Sequence, residues 1–242
     1  MFFLKSKVKL AGTDFFDQFT DYHSHILPGV DDGLKSIDDA LETLDYYEQL
    51  GVNHVFLTPH IGIDFKSNLF EHQEVLDRLS SAYTGSVELS LAGEYMLDLG
   101  FRDKLDDGLR YLYGNRVLVE TSYAASPNYL NAILYNLLSS GSVPVIAHPE
   151  RYLYMGHQQY NVLKACGYEF QLNLLSLAGF YGVAVAKNAE YLLERGMYDF
   201  CGTDIHNLDK FKVGIDKLKI SRKLLGKLFE VKCNQELTLV EA

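Results

Sequence analysis

Residues 21–33 read Asp21-Tyr22-His23-Ser24-His25-Ile26-Leu27-Pro28-Gly29-Val30-Asp31-Asp32-Gly33. A short β-rich run, 19–22, leads into two histidines spaced two apart and then into a Gly- and Asp-rich turn. Residues i and i+2 project from the same side of an extended strand, so His23 and His25 can approach one ion together. Gly29 and Gly33 suit a tight turn, and Asp31 or Asp32 can offer a further oxygen ligand or merely cap the helix begun at Ser36. Spacing alone leaves these aspartates undecided. The segment is a strand whose C-terminal end carries chemistry.

The same unit recurs. Strand-like runs are predicted at 19–22, 54–58, 87–92, 117–120, 143–147, 169–172 and 200–202. Helix-like segments lie between them. Ile37, Ala40, Leu41, Leu44 and Tyr47 form one apolar stripe, with Ser36 and Asp39 as a capping box at its start and Gly51 as its stop. Further helices are expected at 69–82, 127–139, 158–166, 183–195 and 217–228, and 97–109 has room for a short one. Seven βα-like units predict an α/β fold with a parallel sheet, and 242 residues suit a small, nearly closed barrel. An open doubly wound sheet is the alternative, but no GxGxxG follows any predicted strand. No Pro-, Gly- or Ser-rich linker divides the chain, so a single domain, 1–242, is expected.

Set against those strands, the histidines and acids fall into register. His23 and His25 follow the first strand, His60 the second and Glu94 the third. Glu120 ends the fourth, His148 follows the fifth, and Asp204 and His206 follow the seventh. The C-terminal ends of parallel barrel strands share one rim, so these remote residues are expected to converge. A lone HxH, or one histidine after one strand, is more often accidental or structural. A His or acid after six of seven strands is not readily accidental. Imidazole mixed with carboxylate suits manganese, iron or zinc. Eight candidates exceed one tetrahedral ion, so two or three divalent cations are inferred. His54, His72 and His157 fit no such position.

Composition narrows the function. A net charge of -10 argues against a general nucleic-acid binder. Residues 1–16 lack the apolar core of a signal peptide, and no apolar run is long enough to span a bilayer. Cys166, Cys201 and Cys233 are too widely spaced for a disulfide framework or a zinc knuckle, which suits a reduced, cytoplasmic setting. None is followed by arginine in a CxxxxxR phosphatase motif. Lys210, Lys212, Lys217, Lys219, Arg222, Lys223, Lys227 and Lys232 crowd the C-terminal region. They read as a solvated helix face or as a docking patch for an acidic peptide or membrane surface.

The string from Asp21 to Gly33, then Thr58-Pro59-His60, Gly93-Glu94, Glu120, His148-Pro149-Glu150-Arg151 and Thr203-Asp204-Ile205-His206, resembles the PHP (polymerase and histidinol phosphatase) superfamily. Within it, the similarity is to the bacterial metal-dependent protein-tyrosine-phosphatase branch of CpsB/YwqE type. The resemblance implies a distorted (β/α)7 barrel with a trinuclear site, usually manganese. One ion would take His23, His25, Glu94 and Asp204; a second Asp32, His60 and His206; a third Glu94, Glu120 and His148. Arg151 would hold the substrate phosphate, and Asp204 or His206 could assist the leaving group, although a metal ligand is a poor proton donor.

The implied reaction is hydrolysis of phosphotyrosine by a metal-bound hydroxide. The implied substrate is the C-terminal tail of an autophosphorylated bacterial tyrosine kinase governing capsule or exopolysaccharide synthesis. A small-molecule phosphomonoesterase acting on histidinol phosphate or a similar ester is the alternative. The branch often carries a second phosphate-binding arginine after the final DxH. Here Lys210 or Lys212 stands nearby as a point charge without the bidentate fork. Tyr22, Tyr95, Tyr123 and Tyr152 lie near the expected rim, where ordinary packing is the first reading and stacking on an aryl substrate the second.

Overall fold

The computed structural model describes residues 7–65, 68–106 and 108–240. The strands are β1 (Lys7–Lys9), β2 (Phe19–Ser24), β3 (Val52–Leu57), β4 (His60–Ile61), β5 (Glu88–Leu91), β6 (Glu94–Met96), β7 (Arg116–Glu120), β8 (Val143–Ala147), β9 (Glu169–Asn173), β10 (Phe200–Gly202) and β11 (Lys219–Ser221). The helices are α1 (Ile37–Leu50), α2 (Leu69–Ala82), α3 (Phe101–Asp106), α4 (Leu130–Ser139), α5 (His157–Ala165), α6 (Leu174–Leu177), α7 (Val183–Glu194), α8 (Leu208–Lys217) and α9 (Arg222–Val240).

The architecture is mixed α/β with a curled parallel sheet. One sheet runs β10-β9-β8-β7-β6-β4 and another β2-β3-β5, and every pairing within them is parallel. The division falls where Thr58-Pro59 separates β3 from β4 and Ala92-Gly93 separates β5 from β6. Proline has no N–H for the ladder, so the pairing breaks there and resumes one step on. Glu94 N–H then donates to Pro59 O (3.0 Å).

The two far edges also meet. His25 N–H donates to Ile205 O (3.0 Å) and Asp204 N–H to His23 O (2.8 Å), and Ser24 bridges Ile205 in parallel. Buried Asp21 ties this seam, accepting from Thr203 N–H (2.8 Å), Thr203 Oγ1 (2.7 Å) and Tyr47 Oη (2.8 Å). A Cβ at Gly202 would stand 2.6 Å from His23 Cβ, so only glycine lets β10 approach β2 this closely.

The helices follow local rules. Ser36 Oγ accepts from Asp39 N–H, the Asp39 carboxylate accepts from Ser36 N–H, and Gly51 ends α1 with φ +94°. Ala40, Leu44 and Tyr47 are buried from its inner stripe, while Ile37 and Leu41 are half-buried at its edge. Full burial of such a side chain stabilises by about 1.5–3 kcal/mol, which anchors α1 to the sheet. The expected helix at 127–139 begins three residues late, at Leu130. The expected helix at 217–228 is not one element. α8 ends at Lys217, Leu218 turns extended (φ -67°, ψ 107°), and β11 pairs antiparallel with β1. Ile220 is buried in this ribbon, and Ser221 Oγ accepts from Leu224 N–H (3.3 Å) where α9 starts. Helical periodicity on either side masked the three-residue strand. Among the described residues no helix is long and apolar enough to cross a membrane.

Candidate metal centre

His23 and His25 leave the end of β2 on the same side, with their Nε2 atoms 3.1 Å apart. Glu94, at the first position of β6, and Asp204, just past β10, complete the set. Glu94 Oε2 lies 3.2 Å from His23 Nε2 and 3.3 Å from His25 Nε2. Asp204 Oδ1 lies 3.5 and 3.3 Å from the same two atoms. A cation holding tetrahedral donors at 2.0–2.1 Å sets them about 3.3 Å apart. The donor atoms of His23, His25 and Asp204 are therefore near enough to one another to share one ion, with Glu94 Oε2 beside both histidines.

Two further groupings adjoin the first. Asp32 Oδ1 lies 3.5 Å from His60 Nε2 and 3.3 Å from His206 Nε2, and the four residues His25, Asp32, His60 and His206 are near enough to share an ion. On the other side, His148 Nε2 lies 3.1 Å from Glu94 Oε1. Glu120 Oε1 lies 2.9 Å from His60 Nδ1. The Tyr123 hydroxyl sits between Glu120 Oε2 (3.4 Å) and His148 Nε2 (3.5 Å). All nine expected residues thus converge. The grouping differs in detail from that implied by the resemblance: His60 approaches Glu94 and Glu120, and His148 approaches Glu94 with His23.

The electrostatics fit a cationic guest. Glu94 Oε2 and His60 Nδ1 are buried without a hydrogen-bond partner. Burial opposes charge on His23, yet Glu94 and Asp204 raise its pKa above the usual value. Against the same burial, Asp31 raises His25 and Glu94 lifts His60 to about 10. Against burial, the same histidines hold Glu94 and Asp204 well below the usual carboxylate range. His148 differs: burial, then the charge of Arg151, pushes it down to about 4, so its imidazole keeps a free lone pair at neutral pH.

A supporting layer orients these donors. His23 Nδ1 bonds Gln171 Oε1 (2.9 Å), which directs Nε2 inward. His25 Nδ1 bonds Asp31 Oδ2 (2.7 Å), while Asp31 also accepts from Gly33 and His60 N–H (2.8 and 3.1 Å). Asp31 is therefore spent on orientation, whereas Asp32 is two-thirds exposed and faces the two outer histidines. Asp204 Oδ2 accepts from Asn173 Nδ2 (2.7 Å) and Arg151 Nη1 (2.8 Å). Arg151 lies between two rings, 4.5 Å from the Tyr123 centroid and 4.2 Å from that of Tyr181. Two residues of the centre, His148 (φ 35°) and Asp204 (φ 53°), hold left-handed backbone conformations that are costly for side-chain-bearing residues.

Above the cluster opens a cavity of about 840 Å3 lined by His60, Glu120, Tyr123, Arg151, Tyr181 and Lys210 among others. Lys212 is instead turned toward Glu42 (3.5 Å) and the Tyr46 ring. Of the four tyrosines expected near the rim, only Tyr123 lines the cavity; Tyr22, Tyr95 and Tyr152 are buried in packing. Gln171, Asn173 and Tyr181 escaped the sequence reading, because neutral amides and one more tyrosine carry no ligand signature. His54 bonds Ser90 Oγ (2.8 Å), His72 is buried on the inner face of α2, and His157 stacks on Tyr191. All three cysteines are free thiols.

The chain is similar in sequence and in fold to known proteins. The family model for capsular polysaccharide synthesis, CpsB/CapC, matches residues 19–239. The chain is 31% identical over 208 residues to tyrosine-protein phosphatase CpsB of Streptococcus pneumoniae, covering 78% of this chain and 83% of that protein. Its fold is similar to the crystal structures of YwqE from Bacillus subtilis and CpsB from Streptococcus pneumoniae, metal-dependent tyrosine phosphatases, with a TM-score of 0.71 at 24% identity over 92% and 91% of the two chains. It is also similar in fold to histidinol phosphate phosphatase from Lactococcus lactis, complexed with zinc, L-histidinol and phosphate, with a TM-score of 0.55 at 16% identity over 87% and 94%.

Proposed function

The chain belongs to the CpsB/CapC family of capsular polysaccharide synthesis, and on that premise we propose that it is a metal-dependent protein-tyrosine phosphatase. The observation that carries this reading is the convergence of His23, His25 and Asp204 donor atoms at the spacing of one cation, with Glu94 beside both histidines. On the same reading the two parallel sheets are halves of one distorted (β/α)7 barrel, and residues 1–242 form one cytoplasmic domain. On the assignment that the resemblance implies, His23, His25, Glu94 and Asp204 would hold one ion, Asp32, His60 and His206 a second, and Glu94, Glu120 and His148 a third. Manganese suits this mixture of imidazole and carboxylate, with iron or zinc as other occupants.

Bound divalent ions would neutralise the phosphate dianion and acidify a water for attack. The chain does the rest. Arg151 offers N–H donors to the phosphate oxygens, and its stacking between Tyr123 and Tyr181 fixes the plane of the fork. Asp204 holds one end of that guanidinium. A phenol with a pKa of about 10 leaves more readily than an alcohol, so a phosphotyrosine substrate needs little acid assistance from Asp204 or His206. Lys210 is the lysine suited to add a second positive charge at the phosphate. The substrate proposed is a phosphotyrosine segment in the tail of a capsule-controlling bacterial kinase.

Turnover of a phosphotyrosine peptide and of histidinol phosphate, each with manganese and with chelator, tests the reading. Peptide hydrolysis that chelation abolishes and manganese restores is expected. Activity that survives chelation overturns the metal-dependent reading. Faster turnover of histidinol phosphate than of peptide moves the enzyme to the small-molecule alternative.

A further inference from the structure

The wall of the cavity above the metal centre carries charged groups, Asp32, Glu120, Arg151 and Lys210 among them, and also aromatic rings. Among the described residues of that wall, two aromatic side chains are well exposed: Tyr123, 44%, and Phe180, 46%. Tyr123 is already engaged. Its ring lies 4.5 Å from the Arg151 guanidinium and stacks on Tyr152 (5.6 Å, 30°), and its hydroxyl reaches Glu120. Phe180 has one ring contact among the described residues, with Tyr181 (5.2 Å, 78°). Tyr181 in turn lies 4.2 Å from the guanidinium. Phe180 thus stands two ring contacts from Arg151 with nearly half its surface free.

The backbone fixes where this ring stands. Phe180 N–H donates to Leu175 O (3.2 Å), Gly179 N–H to Ser176 O (3.1 Å) and Gly182 N–H to Gly179 O (3.0 Å). Gly179 (φ +74°) and Gly182 (φ +101°) hold conformations that favour glycine on either side of it. α7 begins at once, at Val183. A lone exposed phenylalanine on open surface needs no explanation. One held by a hydrogen-bonded loop on the wall of a charged cavity, beside the neighbours of Arg151, calls for a ligand with an apolar part.

We propose that Phe180 is a specificity-determining residue that packs against the phenyl ring of a phosphotyrosine whose phosphate is held at Arg151. The inference rests on the phosphatase reading above and adds the group that tells an aryl ester from an alkyl one. In an aryl phosphate a single oxygen joins ring to phosphorus, so a phosphate at Arg151 brings the ring among the aromatic neighbours of that arginine. Stacked or edge-to-face packing there adds to the area buried. A phosphoserine has no ring to offer, and histidinol phosphate carries its imidazole several bonds further from phosphorus. Phe65 lines the same cavity but stacks on His60 (4.7 Å, 19°), so Phe180 is the residue that separates ring contact from metal binding.

Titration calorimetry of the manganese-loaded full chain with inorganic phosphate, methylphosphonate and phenylphosphonate tests this, because none of the three is turned over. The parent should bind phenylphosphonate about tenfold more tightly than methylphosphonate. Phe180→Ala should bring that ratio below about threefold while leaving the affinities for phosphate and methylphosphonate unchanged. Phe180→Tyr, which keeps the ring, should preserve the ratio. With a phosphotyrosine peptide, Phe180→Ala should raise KM about fivefold and leave kcat near the parent value. A parent without preference for the phenyl group, a preference that survives in Phe180→Ala, or equal loss of all three ligands in that variant would overturn the proposal. The two readings fail separately. Faster turnover of histidinol phosphate than of peptide sinks the phosphotyrosine reading, whereas peptide turnover with a phenyl preference indifferent to Phe180 sinks only this one.

Discussion

Arg151 shows what a single residue is asked to do at this site. Its guanidinium is tied to Asp204 and lies over the rings of Tyr123 and Tyr181, so its direction is constrained before any substrate arrives. Arg151→Ala is expected to raise KM for a phosphotyrosine peptide by at least about tenfold, and Arg151→Lys to rescue little of it, because an ammonium neither stacks as a plane nor forks. Steady-state kinetics on both variants check this, and an unchanged KM would remove the arginine from phosphate binding. His148→Ala and Asp204→Ala should lose nearly all turnover while the far-ultraviolet dichroism holds. The sequence revealed these residues because imidazole and carboxylate are rare at consecutive strand ends. It was silent on Gln171 and Asn173. Both lie on β9, the one of the seven strands read from the sequence that neither histidine nor acid follows, and only cross-strand geometry reveals that its amides orient His23 and Asp204.

At the scale of elements, the strands and most helices were legible because their apolar period and capping residues act locally. The ribbon was not, since β1 and β11 exist only through pairing across more than 200 residues of chain. The seam between β2 and β10 depends equally on partners remote in sequence. Gly202→Ala is expected to force these strands apart and give a chain without cooperative unfolding, a result checked by a denaturant melt. Within α2, His72 makes a pH-dependent contribution. Burial, then the charge of Arg110, pushes its pKa from 6.5 to about 4. Between those values the unfolded chain takes up a proton that the folded chain refuses. Its stabilising effect is therefore complete above pH 6.5 and is lost as pH falls toward 4, with an upper limit of about 3 kcal/mol. Urea melts across that range should show a shallower acid decline for His72→Gln than for the parent.

For the molecule as a whole, the centre buries Glu94, Glu120 and Asp204 together, and against that burial the neighbouring histidines hold Glu94 and Asp204 well below the usual carboxylate range. Burial and the neighbouring Glu94 already raise the pKa of Glu120. An ion held at 100 times its dissociation constant adds about 2.7 kcal/mol to folding. Chelation is thus expected to lower Tm by several degrees in calorimetry, with manganese restoring it, and no shift would argue against tight binding.

The converging side chains are also strung out in time. Synthesis delivers His23 and His25 at the end of β2, but Asp204 and His206 only after β10. No growing polypeptide that stops short of His206 can assemble the full cage, so premature capture of a cation by the nascent chain is disfavoured. A complete set of donors therefore exists only once His206 has been synthesised.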